Sequence, residues 1–319
     1  MKKIEVVTNK VVIVGTGFVG STIAFALMVS GRASEIVLID YNKDKAEGEM
    51  MDLNHGIAFT DPVNIKVGTY DDCKNADIII IAAGANQKPG ETRIDLVHKN
   101  TDIFKQIIPQ IVDVEKDAII LVVTNPVDIL TYVTLKVSHL RQNQVIGSGT
   151  VLDTARFRYL LSDHCKVDTR NVHAFIIGEH GDTEVPVWSR VSIASTPLES
   201  FCKQRFRPYT KEIRESIFKN VKNAAYEIIN RKGATYYAVA LGVLRIIEAI
   251  LRNEMSVLPI SSYFTGMYGI NDVCLSVPTI VGSEGALRQI ELPLDETEVS
   301  ALRRSAEGIR KVITELNLD

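Results

Sequence analysis

A β-branched run, Lys10–Val14, leads directly into Gly15-Thr16-Gly17-Phe18-Val19-Gly20, a G-x-G-x-x-G fingerprint. A helical stretch over residues 21–30 follows and is stopped by Gly31; a second apolar run over 35–39 ends in Asp40. Strand, glycine turn, helix, strand and acid in that order predict a dinucleotide-binding βαβ unit. Gly15 makes the turn, Gly17 lets the backbone meet a pyrophosphate, and Gly20 lets helix and strand pack closely. The phosphates belong at the helix N-terminus, and Asp40 can accept from a ribose hydroxyl. Asp40 would repel a 2′-phosphate and no arginine follows it closely, so NAD is expected rather than NADP. The uncharged run from Val11 to Gly31, preceded by Lys2, Lys3 and Lys10, has about the length of a membrane span or signal segment. Its glycines and its strand-turn-helix order assign it to a buried βα unit instead.

The rest of the first half alternates further apolar strands, at 65–67, 78–81 and 119–123, with helical patterns. Runs that are apolar throughout suit parallel strands covered on both faces. Near Asp153 the texture changes. A helix over 153–162 leads into an apolar run, 171–177, that reads as one buried strand. Helices over 211–231 and 234–252 are separated by Gly233, a turn is expected at 268–272, and a closing helix starts at Asp295 with Glu298 as its capping pair. The expected class is α/β: a Rossmann-type doubly wound parallel sheet over residues 1–150, then an α+β substrate domain over 151–319. With 319 residues the chain is long enough for both.

The formal net charge of -3, with acids and bases interspersed, leaves no electrostatic footprint for nucleic acid. Arg245 and Glu248 break the apolar helix near the C-terminus, so no membrane association is expected. The four cysteines, Cys73, Cys165, Cys202 and Cys274, have neither disulfide-framework nor zinc-site spacing. They suit reduced thiols and a cytoplasmic protein.

The chemistry gathers in three places. The run 171–177 delivers His180 onto a loop flanked by Gly178 and Gly181. Imidazole titrates nearest neutrality, so a histidine presented this way is a candidate acid/base, against the bland alternative of a loop cap. Leu152-Asp153-Thr154-Ala155-Arg156-Phe157-Arg158 sets Asp153 and Arg156 on one helix face and turns Arg158 away from them. A polar loop at the carboxyl end of a strand, Gly84-Ala85-Asn86-Gln87-Lys88-Pro89-Gly90-Glu91-Thr92-Arg93, can close over a ligand and carry Arg93 inward. A bidentate arginine for a carboxylate, an acid to orient a histidine and a mobile arginine form a coherent set for hydride chemistry. Each arginine alone would read as a surface ion pair.

GTGFVG, GANQKPGETR, TNPVD, LDTARFR, NVHAFIIGEHGDTE and KGATYY occur in the order seen in L-lactate dehydrogenases of the lactate/malate dehydrogenase superfamily. The chain resembles most the bacterial type activated by fructose 1,6-bisphosphate, from about Lys10 to the last helix. The resemblance implies that His180 is the acid/base, Asp153 its orienting carboxylate, Arg156 the fork for the substrate carboxylate and Arg93 the group that polarises the reacting carbonyl. It places Asn125 and Thr235 in the substrate pocket. Around NAD it implies contacts from Gly15, Gly17, Val19, Gly20, Asp40, Lys45, Tyr70, Gly84, Ala85, Val123 and Ser148. It also implies a homotetramer.

Gln87 carries the choice between pyruvate and oxaloacetate. Malate enzymes resembling this chain place an arginine there, to meet the second carboxylate. A neutral glutamine would leave that buried charge unpaired and suits the methyl of pyruvate, although Lys88 could reach in. In the activated bacterial enzymes an arginine and a histidine at the positions of Arg158 and His173 bind the sugar bisphosphate across a subunit interface. Two other readings stay open: a malate or other 2-hydroxy acid enzyme, and a non-enzymatic NAD-binding protein, which the His180, Asp153, Arg156 and Arg93 set disfavours.

Overall fold

The computed structural model describes residues 9–85, 93–316 and 318. In the first half, β1 (Lys10–Val14), α1 (Phe18–Ser30), β2 (Glu35–Ile39), α2 (Lys43–Gly56), β3 (Asn64–Val67) and β4 (Ile78–Ile81) are followed by α3 (Arg93–Val112), β5 (Ile119–Val122), α4 (Val127–Ser138) and β6 (Val145–Gly147). These six strands pair in parallel in the order β3-β2-β1-β4-β5-β6. That is the expected doubly wound sheet. Alternation across the strands sends Val12, Val14, Ile79 and Ile81 to one face, under α3 and α4, and Val11, Ile13, Ile78 and Ile80 to the other, under α1. Both faces are buried, which is why these strands lack a polar side.

The second half consists of α5 (Val151–Cys165), β7 (Val172–His173), β8 (Ile176–Ile177), β9 (Val185–Pro186), β10 (Ser192–Ile193), β11 (Thr196–Pro197), α6 (Leu198–Gln204), α7 (Lys211–Lys232), α8 (Tyr237–Leu251), β12 (Ser256–Thr265), β13 (Asn271–Gly282), β14 (Gly285–Gln289) and α9 (Glu296–Glu315). Its long antiparallel strands join the first sheet, through the Ser261–Gly147 pairing of β12 with β6, and make it nine-stranded. Helix α8 packs its Val243, Ile246, Ile247 and Ile250 into the same core as α1. A smaller core, with Phe157, Leu161, Val172, Ile193 and Leu198, lies beneath α5, α6 and α7. Cys165 and Cys202, far apart in sequence, meet there with their sulfurs 3.8 Å apart; all four cysteines are free and buried.

Two expectations are corrected. The apolar run 171–177 is not one strand: β7 pairs with β10, while β8 pairs with β9 in a separate small sheet. Its apolar character comes from burial of Val172, Ala174, Ile176 and Ile177 among helices and not from a long ladder. Helix α1 begins at Phe18, inside the fingerprint, not at residue 21. The closing helix has the expected reciprocal cap: Asp295 accepts from the Glu298 N–H at 2.8 Å and the Glu298 carboxylate accepts from the Asp295 N–H at 3.1 Å.

Candidate active site

The glycine loop is shaped by main chain. Gly15 has φ +101° and lies so close to the next strand connection that a Cβ there would stand 2.4 Å from the Ala83 nitrogen. A Cβ on Gly20 would stand 1.8 Å from the Gly15 carbonyl oxygen. Around Gly17 the space is open: beyond its own stretch of chain, no described atom lies within 4 Å of where its Cβ would be. Helix α1 has no side-chain cap and no acid in its first turn. Its leading N–H groups therefore remain for an anion, which fits a dinucleotide pyrophosphate. Asp40, at the end of β2, accepts from the Thr16 N–H (2.7 Å) and hydroxyl (3.0 Å) through Oδ2 and from the Asn42 N–H (2.9 Å) through Oδ1. The acid expected to meet a ribose thus also pins the loop. Val19 is half-buried in α1, Lys45 is exposed in the first turn of α2, and Tyr70 packs half-buried against the core. Gly84 leaves no room for a Cβ beside Thr124, and the Ala85 N–H donates to Asn100 at 2.8 Å.

The residues expected to move the proton converge from three segments. Helix α5 carries Asp153, 3% exposed, and Arg156 one turn on, whose Nη1 donates to Asp153 Oδ1 at 2.9 Å. The other oxygen of Asp153 bonds Nδ1 of His180. Main chain holds the histidine as well: its N–H donates to Asp128 Oδ2 at 2.7 Å, from the first turn of α4. Burial opposes a charged imidazole here, but the Asp153 carboxylate, with Asp128 and Glu184 behind it, outweighs that and raises the His180 pKa to about 9. Burial acts on Asp153 in the opposite sense, and His180 and Arg156 together hold its carboxyl below the usual range. At neutral pH the site therefore holds an imidazolium against a carboxylate, with a guanidinium alongside.

A cavity of about 120 Å³ is lined by Val123, Asn125, Ser148, Arg156, His180 and Thr235 together. Two of the expected cofactor-side residues, Val123 and Ser148, thus share one space with the substrate-side Asn125, Arg156 and Thr235. It adjoins a second cavity of about 440 Å³, where Asp153, Arg156 and His180 meet Glu184 and Lys222. Thr235 lies between α7 and α8, just after Gly233 in its left-handed turn (φ +87°). The ring of Phe18 stacks on Tyr236, next to Thr235, with centroids 5.4 Å apart. That contact links the glycine loop to the substrate side.

Arg158 lines neither cavity. Its Nε donates to the Ala174 carbonyl at 2.9 Å and its guanidinium lies over Phe175, two positions along the chain from exposed His173. Among the described residues no carboxylate pairs with it, and burial lowers its pKa. Gln87 and Lys88 lie outside the described residues. Arg93 is the first residue of α3; its side chain is likewise outside the description.

Two residues escaped the sequence analysis. Asp128 lies inside TNPVD and Glu184 inside GEHGDTE, motifs quoted above with no role given to either. Glu184 is 6% exposed, its Oε1 has no hydrogen-bond partner among the described residues, and burial with the nearby Asp153 charge raises its pKa to about 8. For Asp128 the available signal was an acid alone in an apolar segment: it is the only acid of α4, whose residues from Val127 to Leu135 are all buried; Glu184 has no such signal among the acids of its own motif.

A family model described as the lactate/malate dehydrogenase NAD binding domain matches residues 9–147, and one described as the alpha/beta C-terminal domain of the same enzymes matches residues 150–317. The chain belongs to the lactate/malate dehydrogenase family. Membership makes it an NAD-dependent dehydrogenase and agrees with the fit of the glycine loop to a dinucleotide. Among relatives in this family, an L-lactate dehydrogenase of Acetivibrio thermocellus is 60% identical over 98% of both chains. One of Thermoanaerobacter pseudethanolicus is 56% identical over 97% of this chain and 100% of its own. A minor L-lactate dehydrogenase from Enterococcus mundtii, solved with ligands bound, superposes with a TM-score of 0.95 at 44% identity, covering 98% of this chain and 99% of its own.

Proposed function

We propose that the protein is an L-lactate dehydrogenase, reducing pyruvate to L-lactate and running the reverse reaction. The observation that carries this is the His180–Asp153–Arg156 array opening onto a cavity shared with Asn125 and Thr235. It is supported by relatives of that name at 54–60% identity over nearly the whole chain. A dinucleotide held at the glycine loop and Asp40 would supply the hydride for the carbonyl carbon. His180, charged at neutral pH, gives its proton to the carbonyl oxygen, and Asp153 stabilises the imidazolium until then. Arg156 has donor positions beyond the one used by Asp153, and these hold the substrate carboxylate as a fork. Arg93 polarises the carbonyl. In the reverse direction neutral His180 takes the hydroxyl proton of lactate.

Gln87 sets the preference for pyruvate, because a neutral side chain leaves the second carboxylate of oxaloacetate without a partner. Arg158 and His173 take fructose 1,6-bisphosphate as an allosteric activator. The support is a half-buried guanidinium without a described acid partner, bonded to the main chain one residue after an exposed imidazole. The active form is a homotetramer in the cytoplasm, with the division between nucleotide and substrate domains near residue 150. No helix among the described residues is long and apolar enough to cross a membrane.

NADH oxidation measured with pyruvate and with oxaloacetate, each with and without fructose 1,6-bisphosphate, tests the proposal. Pyruvate is expected to be the faster substrate, and its rate to rise with the bisphosphate. A preference for oxaloacetate would remove Gln87 from its role, and NADH binding without turnover of either would leave a binding protein.

A further inference from the structure

Asp128 stands in a helix that buries each residue from Val127 to Leu135, and is itself 1% exposed. A carboxyl placed there is costly unless both its oxygens are satisfied. Both are. Oδ2 accepts the His180 N–H at 2.7 Å and Oδ1 accepts the Ser261 hydroxyl at 2.6 Å. One side chain of α4 thereby ties together the catalytic loop and β12, partners 52 and 133 residues away in sequence. Asp153 grips the ring of the same histidine from α5, so His180 is held by one carboxyl at its main chain and another at its side chain.

We infer that Asp128 is a positioning residue for proton transfer: it anchors the main chain of His180, and its negative charge favours the protonated imidazole. The inference rests on the proposed acid/base role of His180. The other charges around the pair come from several elements: Asp153 and Arg156 from α5, Glu179, Asp182 and Glu184 from the stretch around His180, Lys222 from α7, and the Cys274 thiol of β13. Arg156 offsets Asp153, and Lys222 faces Glu184. Among the described residues no cation is bonded to Asp128, so its charge acts on His180 without a local counter-ion. Burial raises the Asp128 pKa to about 7, against the pull of Ser261 and His180, whereas His180 titrates at about 9. Asp128 is therefore ionised across the range where His180 loses its proton.

Asp128→Asn keeps the shape and an acceptor for the His180 N–H while removing the charge. Two readouts separate the role of Asp128 from that of His180. The first is the pH dependence of kcat/KM for lactate oxidation. The second is modification of His180 in the cofactor-free protein by diethyl pyrocarbonate, which acylates only the neutral imidazole, followed by mass spectrometry of the peptide. Both midpoints are expected to move down by about one pH unit, the usual size for losing one nearby buried charge. Ser261→Ala removes one hydrogen bond that favours the ionised Asp128, and should move both midpoints the same way by less; it carries the test if the asparagine variant does not fold. Unmoved midpoints in both readouts would overturn the inference and reduce Asp128 to a structural anchor. A midpoint that falls in the modification alone supports the action of Asp128 on the ring and contradicts the assigned role of His180 in turnover.

Discussion

The glycine loop and the His180 loop are built by opposite means. The first is main chain: Gly15 and Gly20 have no space for a Cβ, Gly17 faces open space, and α1 presents uncapped N–H groups. The glycines themselves lie within a few consecutive residues, with Ala83 and Asp40 closing on them from the ends of neighbouring strands. The second is side chain: His180, Asp153, Asp128 and Arg156 come from three separated segments and meet through charged hydrogen bonds. A site made of backbone is broken by adding an atom, and one made of side chains by removing a charge or a proton.

Substitutions at each region should separate these two modes. His180→Gln is expected to lower kcat for pyruvate reduction by about 10²- to 10⁴-fold, the usual contribution of a general acid. NADH affinity, read by nucleotide fluorescence, should stay near wild type. A comparable loss of NADH affinity would mean that the two regions are not separable. Gly20→Ala should do the reverse. Its Cβ meets the Gly15 carbonyl, so the loop must shift, costing about 1–3 kcal/mol of stability and weakening NADH binding, while the pH dependence of the remaining activity is kept. Urea titration and NADH binding check this, and a variant with unchanged affinity would show that the fingerprint tolerates the shift. The smallest effect belongs to the stacked contact between the regions. Phe18→Ala removes a ring pair worth roughly 0.5–1.5 kcal/mol and should raise the pyruvate KM by about two- to tenfold with kcat kept, if that stack positions Thr235. A KM that does not move would leave the stack as packing alone.

The same contrast explains what the sequence made legible. The βαβ unit could be read because its signal is local: strand, glycines, helix and acid are adjacent, and parallel strands buried on both faces announce themselves as apolar runs. The stretch 171–177 carries the same apolar signal yet forms two short strands in different sheets, because hydrophobicity reports burial and not ladder length. Asp153 and Arg156 were legible as a pair through helical spacing. Their meeting with His180, which lies 27 positions from Asp153, depends on tertiary packing that no local pattern encodes. Asp128, a single acid in an apolar segment, shows no partner in one dimension, and nothing local sets Glu184 apart from the neighbouring Glu179 and Asp182. The extension of the parallel sheet by β12, β13 and β14 was hidden for a related reason: a single pairing, Ser261 with Gly147, joins the two halves edge to edge.

The account turns on one proton held by His180, whose pKa the carboxylates around it raise to about 9. A raised histidine pKa keeps the proton donor available at all lower pH values and withdraws it as pH rises through that point. The most direct measurement is therefore kcat/KM for pyruvate reduction and for lactate oxidation, followed through the same pH range on the same protein. Mirror-image profiles are expected, reduction falling and oxidation rising with a common midpoint near 9, both lost in His180→Gln. Profiles that are flat through that range, or that persist in the variant, would contradict the role of His180.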